Sequence, residues 1–319
     1  MRILARAGAV AALLAMSVTS PAAANAELQP VTNSGSNPGA LSMYVYLPDG
    51  LEPGAPAVVA MHGCTQTAAD YHAHAGWRDL ADRAKFAVIY PEQRTTNNLN
   101  RCFNWFQPGD SDRGQGEAAS IRQMVAHAVT TYDLNPDRVF ATGLSAGGAM
   151  TANLLADYPD VFRAGAIMAG VPAKCARDLV TAYSCMGSDQ RKTPEQWADL
   201  VRRSAPDHTG SWPTVAIFHG TADTTVAPVN ADELRDQWTA VHGVSQEPSR
   251  TEQLPAGTTL TAYHDSDGVP VVEQYVIDGM PHAQPVDPGT EAGNCGATGQ
   301  YYADTICAAY YAANSWGML

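Results

Sequence analysis

The chain has 319 residues, of which 45% are hydrophobic and 16% are charged, so it can bury a sizeable core and is not disordered as a whole. Its 32 acidic residues outnumber its 19 lysines and arginines, and the net charge is −13. Such a surface repels phosphate backbones and anionic lipids, so we expect no nucleic-acid partner and no binding to membrane surfaces.

The first 26 residues have the pattern of a cleaved secretory signal. Two arginines precede an apolar run over residues 7–18, and small residues follow as far as Ala26. An uncleaved membrane anchor is the alternative, but the apolar run is shorter than the roughly 20 residues that span a bilayer. We therefore predict a secreted, extracellular protein whose mature chain begins near Glu27 and forms a single catalytic domain over residues 27–319.

Segments of two kinds alternate after the predicted signal. Short apolar runs that end in Gly, Pro or Asp are typical of strands, and they are LSMYVYLP, PAVVAMHG, FAVIYPE, RVFATGL, RAGAIMAG and TVAIFHG. Longer stretches have helical spacing, and they are WRDLADRAK, EAASIRQMVAHAVTTY, GAMTANLLADY, EQWADLVRRSA and ADELRDQWTAVHG. Apolar strands that alternate with helices predict an α/β fold with a mostly parallel, doubly wound sheet and helices on both faces.

The C-terminal part of the chain continues the predicted sheet. TTLTAYHD and PVVEQYVID have the pattern of two further strands, and YYADTICAAYYAANSWG is interpreted as one closing helix. No internal repeat, charge block or low-complexity linker marks a second domain. One catalytic domain is therefore expected to fill the mature chain.

Six cysteines in a secreted chain indicate disulfides. The sequence does not fix their connectivity, and we favour nearest neighbours along the chain. This pairing joins Cys64 to Cys102, Cys175 to Cys185, and Cys295 to Cys307. A zinc site is the alternative, but no C-x-x-C or H-x-x-x-H spacing supports it. We expect neither a metal nor an organic cofactor.

The stretch RVFATGLSAGGAM contains the pattern G-x-S-x-G, with Ser145 at its centre. A predicted strand precedes the serine and a predicted helix follows it. Glycines on both sides allow a sharp turn that lifts the hydroxyl above the sheet. A tight turn with an inert serine is the alternative, but the context favours a nucleophile. The backbone N–H of Ala146, at the start of the helix, is then aimed at an oxyanion.

A nucleophilic serine needs a base and an orienting acid, and in a doubly wound hydrolase sheet the acid precedes the histidine in sequence. Asp223 stands in a polar loop directly after the strand TVAIFHG, where a carboxylate can reach across the edge of the sheet. Asp207, Asp232 and Asp236 fall on predicted helices or in looser loops and are interpreted as solvated surface acids. Asp223 is therefore the predicted acid.

Three histidines follow Asp223 in the sequence. His242 ends an amphipathic helix, where a cation is favourable without any catalytic role, and His264 lies within a predicted strand. His282 follows a strand and stands in a loop that Gly279 and Pro281 restrict. This position suits a histidine that must reach a serine, so His282 is the predicted base.

The second oxyanion donor is expected in the loop after the strand AVVAMHG. In that loop, the backbone N–H of Cys64 or of Thr65 is the candidate donor, and His62 is a candidate substrate contact. A disulfide from this loop to RCFNWFQP would bring Phe103 and Trp105 to the mouth of the site as apolar substrate contacts. The alternative is that both aromatic side chains belong to the core.

Several stretches together resemble the esterase family that includes polyhydroxybutyrate depolymerases, feruloyl esterases and acetylxylan esterases. They are VVAMHGCTQTAADY, WRDLADRAKFAVIYPEQ, CFNWFQPGDSDRGQGEAASIRQMV, DRVFATGLSAGGAMTANLLADYPDVFRAGAIMAGVP and HGTADTTVAPVNADELRDQW. The resemblance implies an α/β-hydrolase fold and an acyl-enzyme mechanism with Ser145 as nucleophile, Asp223 as acid and His282 as base. It also implies an oxyanion hole formed by the backbone N–H groups of Cys64 and Ala146.

The sequence departs from the family in two respects. Members that attack solid polyester usually append a linker and a polymer-binding domain, and this sequence shows neither. The loop GMPHAQPVDPG has Pro281 and Gln284 where many relatives have Gly and Trp or Thr. The predicted function is a secreted serine carboxylesterase acting on short-chain polyhydroxyalkanoate polyester or oligomers; the alternative is a feruloyl or acetylxylan esterase that acts on cell-wall polysaccharides.

Other classes of function fit the sequence less well. A serine peptidase on the same fold would use the same three residue types, but no propeller or cap domain that would select peptides is predicted. A secreted protein that binds carbohydrate or another ligand without turnover is disfavoured, because a serine, an acid and a histidine occur in hydrolase order. The sequence does not predict the oligomeric state.

Overall fold

The computed structural model of the protein describes residues 27–319, and the predicted secretory signal lies outside them. In chain order the elements are β1 (Gln29–Val31), β2 (Ser42–Tyr46), β3 (Ala57–Met61), α1 (Ala68–His74), α2 (Trp77–Ala84), β4 (Ala87–Glu92), α3 (Pro108–Ser111), α4 (Gly116–Thr131), β5 (Val139–Leu144), α5 (Ala146–Asp157), β6 (Ala164–Met168), α6 (Leu179–Gly187), α7 (Pro194–Ser204), β7 (Thr214–Gly220), α8 (Val229–His242), β8 (Arg250–Leu254), β9 (Thr258–His264), β10 (Pro270–Ile277), β11 (Gln284–Val286), β12 (Tyr302–Asp304) and α9 (Ala308–Ser315).

One ten-stranded sheet organises the described residues, in the order β1-β2-β4-β3-β5-β6-β7-β10-β9-β8. The six strands from β4 to β10 pair in parallel, and the strands outside them pair antiparallel. The central strands β3, β5 and β6 are buried along their whole length, as parallel strands covered on both faces must be. The predicted mostly parallel, doubly wound α/β sheet is confirmed, and it is the architecture of α/β-hydrolases.

Helices cover both faces of this sheet. On one face, Val59 and Met61 of β3 share a core with residues of α4, α5, α7 and α8. On the other face, the alternate residues Val58 and Ala60 share a second core with residues of α1, α2 and α9. Side chains of successive strand residues point to opposite faces, so β3 contributes to both cores. The sheet is therefore held rigidly between two helical layers, and its carboxyl edge can position catalytic groups precisely.

The predicted closing helix is only partly correct. Tyr302–Asp304 forms β12 instead, which pairs in parallel with the short strand β11. The helix begins at Ala308, after Cys307, which forms a disulfide with Cys295. Helical periodicity depends only on residues close together in sequence, whereas β12 pairs with β11, which lies about 18 residues earlier. The sequence pattern therefore did not indicate the strand β12.

Three disulfides cross-link the described residues, and each joins nearest neighbours along the chain. The bonds are Cys64–Cys102, Cys175–Cys185 and Cys295–Cys307, the pairing that the sequence analysis favours. Between residues 27 and 319, no helix has the length and apolar character needed to span a membrane. The same residues contain no group of His, Cys, Asp or Glu side chains arranged to hold a metal ion.

Candidate active site

Ser145 lies on a sharp turn between β5 and α5, at the centre of the sheet. Its backbone has φ 57° and ψ −116°, a sparsely populated conformation that costs about 1–3 kcal/mol. The Ser145 N–H donates to the carbonyl of Met168 on the next strand at 2.9 Å. A Cβ atom on Gly143 would lie 2.4 Å from the backbone of Gly147, and one on Gly147 would lie 2.4 Å from the carbonyl oxygen of Met61. Close backbone approach therefore requires both glycines.

His282 links the serine to a carboxylate. Its Nε2 lies 2.8 Å from Ser145 Oγ, and its Nδ1 lies 2.7 Å from Asp223 Oδ2. Because a carboxylate can only accept, Nδ1 carries the proton and Nε2 is free to accept from the serine hydroxyl. The Asp223 side chain is fully buried, and the His282 side chain is 11% exposed. The structure thus brings together the three side chains that the sequence analysis selects.

The carboxylate of Asp223 is held by four donors. Its Oδ1 accepts from the backbone N–H groups of Thr225 at 2.8 Å and Val226 at 2.9 Å. Its Oδ2 faces His282 and, at 3.4 Å, the Nε2 of His219. Burial alone would raise the pKa of Asp223, but hydrogen bonds from His219 and His282 hold that pKa well below its ordinary range. Asp223 therefore stays ionised and fixed in orientation.

His219, on β7, is a site residue that the sequence analysis missed. Its Nε2 lies 2.9 Å from the carbonyl oxygen of Val226 as well as beside Asp223. Both partners are acceptors, so Nε2 carries the proton, and His219 is a second histidine donor to the carboxylate oxygen that His282 contacts. The sequence signal was a histidine four residues before the acid, in FHGTAD. A buried core histidine gives the same pattern, which is why the signal is weak.

The loop that carries His282 packs directly on the end of β7. A Cβ atom on Gly220 would lie only 2.0 Å from the carbonyl oxygen of Met280, so this contact excludes any larger residue. The N–H of Gly279 donates to Thr221 Oγ1 at 2.8 Å, and Gly279 itself has φ 67°. The acid loop and the base loop therefore form one unit, which fixes the distance between the two side chains.

Two backbone N–H groups beside Ser145, those of Cys64 and Ala146, have no hydrogen-bond partner among the described residues. The N–H of Thr65 donates to the carbonyl of Asn100 at 2.6 Å, so it is already occupied. This separates the two candidates that the sequence leaves open. Ala146 is the first residue of α5, where the helix terminus adds a partial positive charge. Both free donors border the cavity in front of the serine.

The loop that carries Cys64 is fixed by a disulfide to Cys102 and by a buried histidine. His62 donates from Nδ1 to the carbonyl of Gly63 at 2.7 Å and accepts at Nε2 from the N–H of Gln93 at 3.1 Å. Burial lowers the pKa of His62 to about 4, so the ring is neutral and suited to this donor and acceptor pair. His62 therefore holds the loop that presents the Cys64 N–H.

A cavity of about 150 Å³ opens beside Ser145. Its walls are mostly apolar side chains, and no charged side chain of the described residues lines it. The apolar walls are Trp105, Phe106, Ala149, Val171, Leu179, Ala182, Met186 and Val226. Three polar side chains also border the cavity, and they are Asn98, Asn100 and Tyr183. The arrangement can bind a small, uncharged acyl group next to a serine hydroxyl.

Of the three predicted substrate contacts, only Trp105 borders the cavity. Phe103 and His62 are fully buried, and their rings pack against each other with centroids 5.0 Å apart. For Phe103 this selects the alternative that the sequence leaves open, a core side chain, and for His62 it corrects the expectation of a substrate contact. The disulfide does bring the segment to the site, but the Phe103 ring fills the core beneath the loop instead of facing the cavity.

A second residue that the sequence analysis missed is Glu117, a buried carboxyl on α4. Its Oε2 accepts from the N–H of Asn104 at 2.8 Å, and its Oε1 accepts from the side-chain amide of Gln93. Gln93 Nε2 also donates to the carbonyl of Cys102 at 3.1 Å. Burial raises the pKa of Glu117 to about 8, although the hydrogen bonds oppose this. Glu117 therefore anchors the segment that leads to Trp105.

We expect Glu117→Gln to change how stability depends on pH. The folded-state pKa of about 8 exceeds the unfolded value of about 4.3, so the folded protein binds this proton more tightly. The contribution of the protonated Glu117 carboxyl to the free energy of unfolding is complete below about pH 4, and it is lost as the pH rises to about 8. Since glutamine does not titrate, the variant should gain roughly a few kcal/mol relative to wild type between pH 5 and pH 9. Urea unfolding measures this difference, and a difference that stays constant with pH would contradict it.

Removing the disulfide beside the cavity should impair turnover as well as stability. In Cys64→Ser/Cys102→Ser, we expect about 4 kcal/mol less stability, because the bond closes a separation of 38 residues. We also expect kcat on a soluble ester to fall by about tenfold to a hundredfold, because the Cys64 N–H is no longer fixed. The matched control is Cys295→Ser/Cys307→Ser, whose bond belongs to the other core and should affect melting alone. Equal kcat in the two variants would refute the positioning role.

The sequence and the fold both match known esterases. Residues 41–257 match the family model described as Esterase PHB depolymerase. The chain is 46% identical to poly(3-hydroxyalkanoate) depolymerase C of Paucimonas lemoignei, over 92% of this chain and 70% of that protein. It is 36% identical to feruloyl esterase B of Neurospora crassa, over 86% of this chain and 94% of the relative. A solved structure, acetyl xylan esterase from Aspergillus awamori, matches with a TM-score of 0.74 and 30% identity, over 80% of this chain and 94% of that one.

Proposed function

The chain belongs to the esterase family of polyhydroxybutyrate depolymerases and is a serine hydrolase of carboxylic esters, and we propose that its substrates are polyesters or oligomers of short 3-hydroxyacids. The 46% identity to a poly(3-hydroxyalkanoate) depolymerase over 92% of the chain supports this substrate class. The uncharged, apolar cavity beside the serine also suits this substrate class, because a short hydroxyacyl unit carries no charge.

In the proposed reaction, Ser145 Oγ attacks the ester carbonyl while His282 Nε2 takes its proton. Asp223 holds the imidazole in the correct tautomer and stabilises the imidazolium that forms. The N–H groups of Cys64 and Ala146 bind the oxyanion of the tetrahedral intermediate, and each such donor contributes about 2.7–4 kcal/mol. The imidazolium then protonates the leaving alcohol. Water, activated by the same histidine, hydrolyses the acyl-enzyme.

The observation that carries the acyl-enzyme mechanism is the geometry around one serine. A hydroxyl, an imidazole and a carboxylate form a continuous hydrogen-bonded series at 2.8 and 2.7 Å. Two unpaired backbone donors border the same small cavity. A tight turn with an inert serine would require neither the orienting acid nor the free donors, so the whole arrangement supports an acyl-enzyme mechanism.

The alternative substrates are feruloyl or acetyl esters of plant cell-wall polysaccharides. The structural match to an acetyl xylan esterase at a TM-score of 0.74 favours this candidate, as does the 36% identity to a feruloyl esterase. An acetyl group fits the cavity easily. A polysaccharide would then have to lie across its mouth, where the exposed side chains are largely aliphatic.

Direct comparison of substrates distinguishes the candidates. We would assay the purified mature protein on soluble 3-hydroxybutyrate oligomers, methyl ferulate, acetylated xylan and p-nitrophenyl butyrate. The proposal predicts that kcat/KM is highest on the hydroxybutyrate oligomers. A higher kcat/KM on methyl ferulate, or faster release of acetate from xylan, would replace it with the alternative.

We also propose that the protein is secreted and that residues 27–319 form one catalytic domain. The signal-like pattern of the first 26 residues and the three disulfides support secretion, because disulfides persist in oxidising compartments. A single sheet that runs from β1 to β8 supports one domain. N-terminal sequencing of protein recovered from culture medium should give a start near Glu27.

A further inference from the structure

Four large hydrophobic side chains lie exposed around the mouth of the cavity. We name them the rim patch: Leu99, Leu179, Val180 and Tyr183, which are 89%, 56%, 80% and 67% exposed. Leu179 and Tyr183 border the cavity, and Leu99 stands between the cavity residues Asn98 and Asn100. Among the described residues, the other large hydrophobics with such exposure are Val269, Tyr301 and Leu319. The four most exposed of these seven hydrophobic side chains therefore belong to the rim patch.

The helix that carries most of the patch, α6, lacks the charged residues that solvent-exposed helices usually have. None of the nine residues of α6, LVTAYSCMG, is charged, whereas α7, PEQWADLVRRS, exposes acids and arginines as surface helices usually do. The buried residues of α6 are Ala182 and Cys185, whereas Leu179, Val180 and Tyr183 are exposed. On a chain of net charge −13, this is an uncharged apolar area that water solvates poorly.

The rim patch is also held in a fixed position. The Cys175–Cys185 disulfide ties α6 to the preceding loop, and the side chain of Asp178 caps the helix by accepting from the Thr181 N–H at 2.7 Å. On the other side, Asn98 accepts from the N–H of Cys102 at 3.3 Å and so restrains the loop that presents Leu99. Apolar groups held in this way lose little conformational entropy when they bind a surface.

We propose that the rim patch adsorbs the surface of solid aliphatic polyester and thereby delivers polymer chains to the cavity. This inference rests on the proposed function and extends it from soluble oligomers to solid polymer. The patch is continuous with the cavity, so a chain lying on it can enter the site without leaving the protein. A neutral polyester, whose ester groups are separated by methylene and methyl-bearing carbons, matches an uncharged patch of three aliphatic side chains and one tyrosine. Anionic lipid is repelled by the net charge, and polysaccharide would favour an aromatic surface over three aliphatic side chains.

The test separates adsorption from catalysis. The Leu99→Ser/Val180→Ser double variant removes two patch residues that do not line the cavity. Combined with Ser145→Ala, which prevents digestion, it should bind poly(3-hydroxybutyrate) granules at least about tenfold more weakly than Ser145→Ala alone, as measured by depletion from the supernatant. Val269→Ser in the same background is the matched control, because Val269 is 51% exposed and lies outside the patch. It should bind as tightly as Ser145→Ala alone.

The same two substitutions with Ser145 intact should leave kcat/KM on soluble hydroxybutyrate trimers unchanged and should slow erosion of a polymer film. Unchanged granule binding would overturn the inference while leaving the proposed function intact. Failure of the wild type to hydrolyse the trimers would instead overturn the proposed function. If the double variant abolishes dimerisation in size-exclusion chromatography, or binding to phosphatidylcholine vesicles, without weakening granule binding, then the patch serves another partner and the inference fails.

Discussion

Replacing Ser145 with alanine is expected to lower kcat for ester hydrolysis by about 10⁵-fold or more, to near the background rate. The hydroxyl oxygen is the only non-hydrogen atom that this substitution removes. That atom, Ser145 Oγ, lies 2.8 Å from His282 Nε2. Alanine keeps a Cβ atom, so the strained backbone with φ 57° remains and the melting temperature should change little. Steady-state kinetics with p-nitrophenyl butyrate would measure the loss.

The matched control is Ser204→Ala, at the end of α7. Ser204 does not line the cavity, and its hydroxyl donates to the carbonyl of Leu200 at 3.0 Å within its own helix. Its replacement should leave kcat and KM unchanged. If Ser145→Ala retained a substantial fraction of wild-type activity, with covalent inhibitor labelling intact, the nucleophile would have to be assigned to another residue.

The sequence predicts most of the sheet because its signals are local. The central strands are short apolar runs ended by Gly or Pro, and each run indicates a strand whatever its partner is. Ser145, Asp223 and His282 are predictable for the same reason, since each follows a predicted strand. Parallel strands place their carboxyl ends at one edge of the sheet, so loops that follow them converge there. Order along the chain thus predicted proximity in space.

The features that the sequence did not predict depend on contacts between distant segments. Phe103 and Trp105 are equally aromatic and two positions apart, and only the packed structure shows that one fills the core and the other borders the cavity. His219 and Glu117 gain their positions from Asp223 and Asn104, whose proximity no periodicity indicates. The choice between Cys64 and Thr65 as oxyanion donor likewise required the hydrogen bond that occupies Thr65.

The second large effect is expected for Asp223→Asn, which should lower kcat by about 10⁴-fold while the fold persists. Asparagine can present its carbonyl oxygen to the N–H groups of Thr225 and Val226, which leaves its NH₂ group facing His282. An amide that donates to Nδ1 forces the imidazole proton onto Nε2. That nitrogen can then no longer accept from Ser145.

The same substitution sets an amide N–H against the Nε2–H of His219, so a moderate loss of stability should accompany the loss of activity. The control is Asp207→Asn, which removes an exposed carboxylate and should be neutral in both respects. Steady-state kinetics measure the loss of activity in the two variants, and thermal unfolding measures their loss of stability. The tautomer explanation also predicts that the Asn variant regains part of its rate at alkaline pH, where hydroxide can replace the imidazole as base. Full activity of Asp223→Asn at pH 7 would assign the orienting acid elsewhere, and a loss of activity that tracked unfolding alone would reduce Asp223 to a structural role.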